Sequence, residues 1–115
     1  FDVARKATLR LLEGENPPDA ILAFNDIITY AAFDAIKSKG LRIPEDVAII
    51  GFTDGDTAAF VTPRLSAIMD QAHVQGTKAC QLLMKSINGD ENIYKEVVPM
   101  ILKIRESSEK NLVKK

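Results

Sequence analysis

Ala20-Ile21-Leu22-Ala23-Phe24, closed by Asn25-Asp26, and Val47-Ala48-Ile49-Ile50-Gly51-Phe52, closed by Thr53-Asp54, set the architecture of this chain. Each is a short unbroken apolar run ending in polar residues, the pattern of a strand covered on both faces. Between them, residues 26–39 read as a helix that Asn25-Asp26 can cap and Gly40 can end. The order strand, helix, strand makes the two strands parallel, because parallel neighbours need a crossover of about a dozen residues. The loop between helix and second strand is Leu41-Arg42-Ile43-Pro44-Glu45-Asp46.

Upstream, Ala4, Ala7, Thr8 and Leu11 recur at helical spacing, and Gly14 followed by Pro17-Pro18 ends that helix. Downstream, a helical turn near Thr57 to Val61 and a stop at Pro63 lead to a third, shorter strand from Leu65 to Met69. A helix from Ala72 to Asn88 follows, with Gly76, Ala79, Cys80, Leu83, Met84 and Ile87 on one stripe. Tyr94–Val98 and Met100–Arg105 read as extended stretches interrupted by Pro99, which lacks a ladder donor. Beyond Glu106 the composition is that of a frayed tail, with Lys110, Lys114 and Lys115 as a solvated end. The fold class is α/β, with no internal repeat.

Composition narrows the function. The chain has 115 residues, 46% hydrophobic and 27% charged, which suits one globular unit with a modest core. Its 15 basic residues against 16 acidic ones leave no excess of cations to track a nucleic-acid backbone, so DNA is not bound by this piece. No apolar run approaches the ~18 residues of a membrane span, and no basic segment leads into a secretory apolar stretch. Phe1 opens directly on a helical pattern, so the N-terminus reads as a cut inside a longer protein. Cys80, the lone cysteine, reads as a small buried hydrophobe and fits a reducing cytoplasm. His73 has no second His or Cys to join it, so no metal site is expected. Neither Ser66 nor Ser86 has a base at fixed spacing, and Gly51-Phe52-Thr53-Asp54-Gly55 is neither a dinucleotide fingerprint nor a phosphate loop. No catalytic residue and no cofactor are assigned.

Ligands of open parallel sheets bind outside the carboxyl ends of the strands. That rule brings Asn25, Asp26, Thr53 and Asp54 to one rim if the first two strands are neighbours. An amide that both donates and accepts, beside acceptor-only carboxylates, suits a polyhydroxyl compound such as a sugar, or a nucleobase. Plain helix capping is the competing account of Asn25 and Asp26.

The chain also carries a recognisable combination. It runs from Pro18-Asp19-Ala20-Ile21 through Asn25-Asp26, Ala31 to Lys39, Gly40-Leu41-Arg42-Ile43-Pro44-Glu45-Asp46-Val47 and Ile50-Gly51-Phe52. It continues in Thr62-Pro63, Leu65-Ser66-Ala67-Ile68, Gly76 and Arg105-Glu106-Ser107-Ser108. In this it resembles the lactose-repressor/galactose-repressor (LacI/GalR) family of bacterial transcriptional regulators over nearly its whole length. The resemblance implies a type I periplasmic-binding-protein-like fold, two α/β subdomains around a ligand cleft, with the present chain forming mainly the C-terminal subdomain. Residues 1–71 would belong to that subdomain, 72–98 would supply a helix and strand to the N-terminal one, and 99–115 would be a return strand and tail. The DNA-binding helix-turn-helix would lie outside the chain. By the same resemblance Asn25 matches an effector-contacting asparagine, while Thr53 replaces a cleft aspartate and Asp54 matches the residue after it. Asp70-Gln71 departs from the crossover pattern of relatives and brings Asp70 to the hinge or cleft.

On the helix from Asp26 to Lys39, Ile28, Ala32, Ala35 and Ile36 define a sheet-packing face, and Tyr30 and Phe33 project opposite it. Either a loop covers these aromatics or a second subunit does. The resemblance favours a homodimer interface, with Phe60 and Val61 in the same patch. The resulting reading is the effector-sensing and dimerisation part of a cytoplasmic regulator that binds a sugar-like metabolite. It reaches DNA only through the absent headpiece and touches no membrane. A periplasmic sugar-binding receptor for transport or chemotaxis is the alternative, since it would share the fold.

Overall fold

The computed structural model describes residues 1–53 and 56–110. Their order is α1 (Asp2–Leu12), β1 (Ala20–Ala23), α2 (Asp26–Ser38), β2 (Ala48–Phe52), a 3-10 turn (Asp56–Ala59), β3 (Ser66–Met69), α3 (Ala72–Ile87), β4 (Ile101–Lys103) and a second 3-10 turn (Glu106–Ser108). The strands form one sheet in the order β1-β2-β3-β4. β1, β2 and β3 are parallel, and β4 runs antiparallel to β3. The expected parallel pairing of the first two strands is therefore found, with Ala23 opposite Gly51 at the end of the ladder.

Alternation along the strands sorts their side chains into two faces. One carries Ile21, Ile49 and Leu65 in one row and Ala23, Gly51 and Ala67 in the next, and α2 packs there. The row of small residues lets the helix come close, and Thr29 of α2 lies directly over Gly51. The core gathers Ala32, Phe33 and Ile36 of α2 with Ile43, Val47, Ile49, Ala58, Leu65 and Ala67. The sheet-facing stripe of α2 is thus Thr29, Ala32, Phe33 and Ile36, rotated one position from the predicted one, and Ile28 is 38% exposed.

α1 crosses the outside of α2, held by the Arg5–Asp34 ion pair at 2.5 Å and by a Lys39–Glu13 pair. Thr8 is its buried residue and Leu12 packs against the core, whereas the predicted face members Ala7 and Leu11 are exposed. That shift follows from α1 lying on a helix and not on the sheet.

The second sheet face departs from expectation. Leu22 is 65% exposed on β1, which is an edge strand among the described residues, and Ile50, Phe52 and Ile68 are half-buried. The apolar runs of β1 and β2 suit cover on both sides, yet α2 supplies it on one side only.

At its other end this face is closed by the residues predicted to fray. Ser107 is fully buried; its hydroxyl donates to the Ile49 carbonyl at 2.6 Å and accepts from the Ser66 amide at 2.8 Å. Lys110, read as part of a solvated end, donates to the Asp19 carbonyl at 2.6 Å. Buried hydroxyls saturating strand-edge groups, not composition, decide that this segment is ordered. Residues 111–115, including Lys114 and Lys115, lie outside the described residues.

α3 forms over the predicted range, but none of its residues is buried, and Leu83 and Ile87 are 60% and 66% exposed. Cys80 is accordingly exposed, which corrects the reading of it as a buried hydrophobe. The strand expected over 94–98 does not form, because these residues have no ladder neighbour among the described residues. They lie along α3 instead, through Lys78–Glu96 at 2.7 Å and the Lys85 ammonium 4.5 Å from the Tyr94 ring centre.

Candidate functional site

Three strand ends meet at the carboxyl edge of the sheet. β1 delivers Phe24, Asn25 and Asp26, β2 delivers Phe52 and Thr53, and β3 delivers Ile68 and Asp70. Together with Met100 from the segment entering β4 they line a cavity of about 330 Å³. That volume is near the lower end of small-molecule sites, which run from roughly 300 Å³ upward. Of the residues assigned from sequence, Asn25, Asp26, Thr53 and Asp70 are brought together here. Asp54 falls outside the described residues.

Local chemistry orients each group. Asn25 is the N-cap of α2: its backbone is extended and its Oδ1 accepts from the Ile28 amide at 2.9 Å. Capping and ligand contact do not exclude each other, since the cap uses the carbonyl oxygen and leaves the two amide protons to donate. Thr29 reinforces the corner by donating its hydroxyl to the Asn25 carbonyl at 2.6 Å. Asp26 follows in the first helical turn, where the positive end of the helix favours a carboxylate. Its Oδ1 is buried and has no hydrogen-bond partner among the described residues. Thr53 is 5% exposed, and its amide donates to the Ile68 carbonyl at 3.1 Å, which holds the end of β2 against β3. Asp70 is exposed at the start of the crossover. Gln71 donates to the Pro99 carbonyl at 2.7 Å and so ties the two crossover segments, one leaving β3 and one entering β4.

The apolar wall escaped the sequence reading. Phe24 and Phe52 have ring centres 5.9 Å apart, and Phe24 is 77% exposed. Each directly precedes a rim residue, Asn25 or Thr53, which is a signal that could have found them. Met100 arrives from 30 residues beyond Asp70 and had no local signal. A larger hollow of about 930 Å³ runs along α3 between His73 and Asn88, with Glu96 opposite. It flanks one exposed helix, with no convergence of strand ends, and its size alone gives it no claim to be the site. Among the described residues no group of three His, Cys, Asp or Glu side chains gathers to hold a metal ion.

Of the residues expected at a subunit interface, Phe33 is the one that is buried within the chain. Phe33 is 7% exposed and belongs to the core, and Tyr30 is half-buried against it. The Lys37 ammonium sits 5.6 Å from the Phe33 ring centre and donates to the Thr62 carbonyl, which ties α2 to the segment after the first 3-10 turn. Val61 also packs on the core. Phe60, in contrast, is 81% exposed.

Comparison with known proteins identifies the scaffold. A family model described as periplasmic binding protein-like domain matches residues 2–108. The lactose operon repressor of Rhizobium radiobacter is 36% identical over 100 residues, 87% of this chain and 88% of that protein. The chain belongs to the LacI/GalR family. Another LacI/GalR-type relative, the transcriptional repressor PurR of Aliivibrio salmonicida, is 36% identical over 84 residues, 73% of this chain and 25% of that protein. The chain spans about a quarter of the length of the first curated relatives it matches. Among solved structures, a LacI family regulator from Bifidobacterium animalis superposes with a TM-score of 0.89 at 32% identity, over 95% of this chain and 40% of that one. A LacI family regulator from Arthrobacter, solved in complex with lactose, gives 0.81 at 30% identity, over 92% and 40%. The periplasmic-binding-protein-like fold expected from the sequence is thereby established, and no helix among the described residues is long and apolar enough to cross a membrane.

Proposed function

We propose that this chain is the larger part of the C-terminal lobe of an effector-sensing domain in a bacterial transcriptional repressor, and that its cavity binds a sugar-like metabolite without transforming it. The observation that carries the reading is the convergence of Asn25, Asp26, Thr53 and Asp70 from three strand ends on one cavity of small-molecule size. Lactose in the Arthrobacter relative supports a sugar. The curated relatives bear the names of transcriptional repressors, which favours regulation over a periplasmic transport receptor.

In this reading residues 1–71 and the return strand form one lobe, and residues 72–98 extend toward the other. The bare stripe of α3 is the surface that lobe would cover. The protein acts in the cytoplasm as a homodimer, with Phe60 at the interface, and reaches DNA through a separate headpiece. A ligand between the lobes shifts the balance of closure angles only by its differential affinity for them.

Two substitutions at Asn25 separate capping from sensing. Asn25→Asp keeps a capping oxygen but removes both amide donors, whereas Asn25→Ala removes cap and donors together. In the full-length protein, Asn25→Asp should keep the unfolding midpoint near that of the parent and lose lactose or other sugar binding in calorimetry. Asn25→Ala should lose binding and about 1 kcal/mol of stability. Unchanged sugar affinity in Asn25→Asp would refute a ligand contact.

A further inference from the structure

We infer that the cavity discriminates by charge: it accepts an uncharged polyhydroxyl ligand and turns away anionic counterparts such as sugar phosphates and uronates. The inference rests on the sensing function proposed above and narrows its ligand class.

Two acidic side chains, Asp26 and Asp70, face the cavity together with the neutral Asn25 and Thr53. No Lys, Arg or His lines it among the described residues. The segments that carry the rim, residues 23–29, 51–53, 67–72 and 98–102, contain no basic residue at all. Several cations of the neighbouring framework are engaged elsewhere: Arg105 donates to the Leu65 carbonyl, Arg64 pairs with Glu106, and Lys37 donates to the Thr62 carbonyl. The positive end of α2 at the rim could draw an anion, but Asp26 already occupies its first turn while Asn25 caps it.

Among the described residues no hydrogen-bond donor reaches Asp26 Oδ1. A buried acceptor without a partner is costly, and Asp26 Oδ1 is such an acceptor. Sugar hydroxyls donate and accept at once, so they satisfy Asp26 and Asp70 while receiving the Asn25 amide protons. A phosphate or carboxylate brings acceptors only and meets like charge across a short distance in a partly desolvated cleft. Phe24 and Phe52 add apolar surface suited to the C–H face of a sugar ring.

The test is titration calorimetry of the full-length protein against matched neutral and anionic sugars: galactose with galacturonate and galactose 6-phosphate, glucose with its two counterparts, and ribose with ribose 5-phosphate, alongside lactose and cellobiose. The neutral member of the set that binds should do so at least about tenfold more tightly than its anionic partners. In the Asp26→Asn/Asp70→Asn double variant that gap should close, chiefly by a gain for the anionic member. An anionic sugar binding as tightly as its neutral partner, or a gap that survives the double substitution, overturns the charge inference and leaves the sensing function intact. Failure of every sugar, neutral or anionic, to bind overturns the sensing function and the inference with it.

Discussion

Gly51 shows how much of this site depends on the absence of one carbon. A Cβ built there would fall 2.9 Å from the Thr29 Cβ and closer still to its hydroxyl and methyl groups. Thr29 cannot simply turn aside, because its hydroxyl is donated to the Asn25 carbonyl. Gly51→Ala should therefore lift the start of α2 from the sheet and cost about 1–3 kcal/mol, the usual range for overpacking. Denaturant unfolding of Gly51→Ala, Thr29→Ala and the double variant checks the cause. The double variant should be more stable than the sum of the single losses implies, since trimming Thr29 makes room for the new methyl. Strict additivity would mean the two residues do not press on each other. Because Asn25 sits one helical turn from Thr29, the same displacement should weaken ligand binding.

Among the elements, the connection from α2 to β2 sets where β2 ends and hence where Thr53 lies. Asp46 closes this loop: its Oδ2 accepts from the Arg42 amide at 2.7 Å and from Arg42 Nε at 2.9 Å, and its Oδ1 accepts from Arg42 Nη2 at 2.6 Å. These side-chain and backbone hydrogen bonds to Arg42 hold the Asp46 carboxyl down at about 2. A carboxyl depressed by folding contributes stability that is present above its ordinary range near 4 and disappears as pH falls toward 2. A carboxyl titration followed by NMR should show the low midpoint in the parent protein and a clear rise toward the ordinary range in Arg42→Ala, which removes the guanidinium but keeps the backbone donor. A parent midpoint near 4 would mean that the loop is not closed in solution.

At the scale of the molecule, the described chain is elongated, with a radius of gyration of 18.6 Å against about 13 Å for a compact domain of this length. α3 and the segment along it extend from the sheet, and much of their apolar surface is uncovered. Phe60 is exposed between Ala58, which is in the core, and Val61, which packs on it. With Phe33 buried and Val61 packed on the core, Phe60 is the exposed aromatic through which the proposed homodimer would be anchored. Phe60→Asp in the full-length protein should shift it from dimer to monomer in sedimentation velocity while leaving sugar binding intact. A dimer of unchanged strength would place the interface elsewhere.

The residues alone determined the order of elements from α1 to α3, the parallel pairing of β1 with β2 and the polar rim at their ends, because these follow from local periodicity and from the length of one crossover. Asn25, Asp26 and Thr53 were legible for the same reason: each stands where an apolar run stops. Tertiary structure decided which side of α2 is buried: a helical wheel sets Phe33 opposite the face of Ile28, Ala32, Ala35 and Ile36, yet in the folded chain Phe33 joins the core and Ile28 is left partly exposed. It also brought Met100 to the rim and locked Ser107 under β2, placements that depend on contacts across 30 or more residues and leave no mark in local pattern. Cys80 and the stripe of α3 show the converse: apolar periodicity says that a face seeks cover, and only the packed chain says whether cover is there.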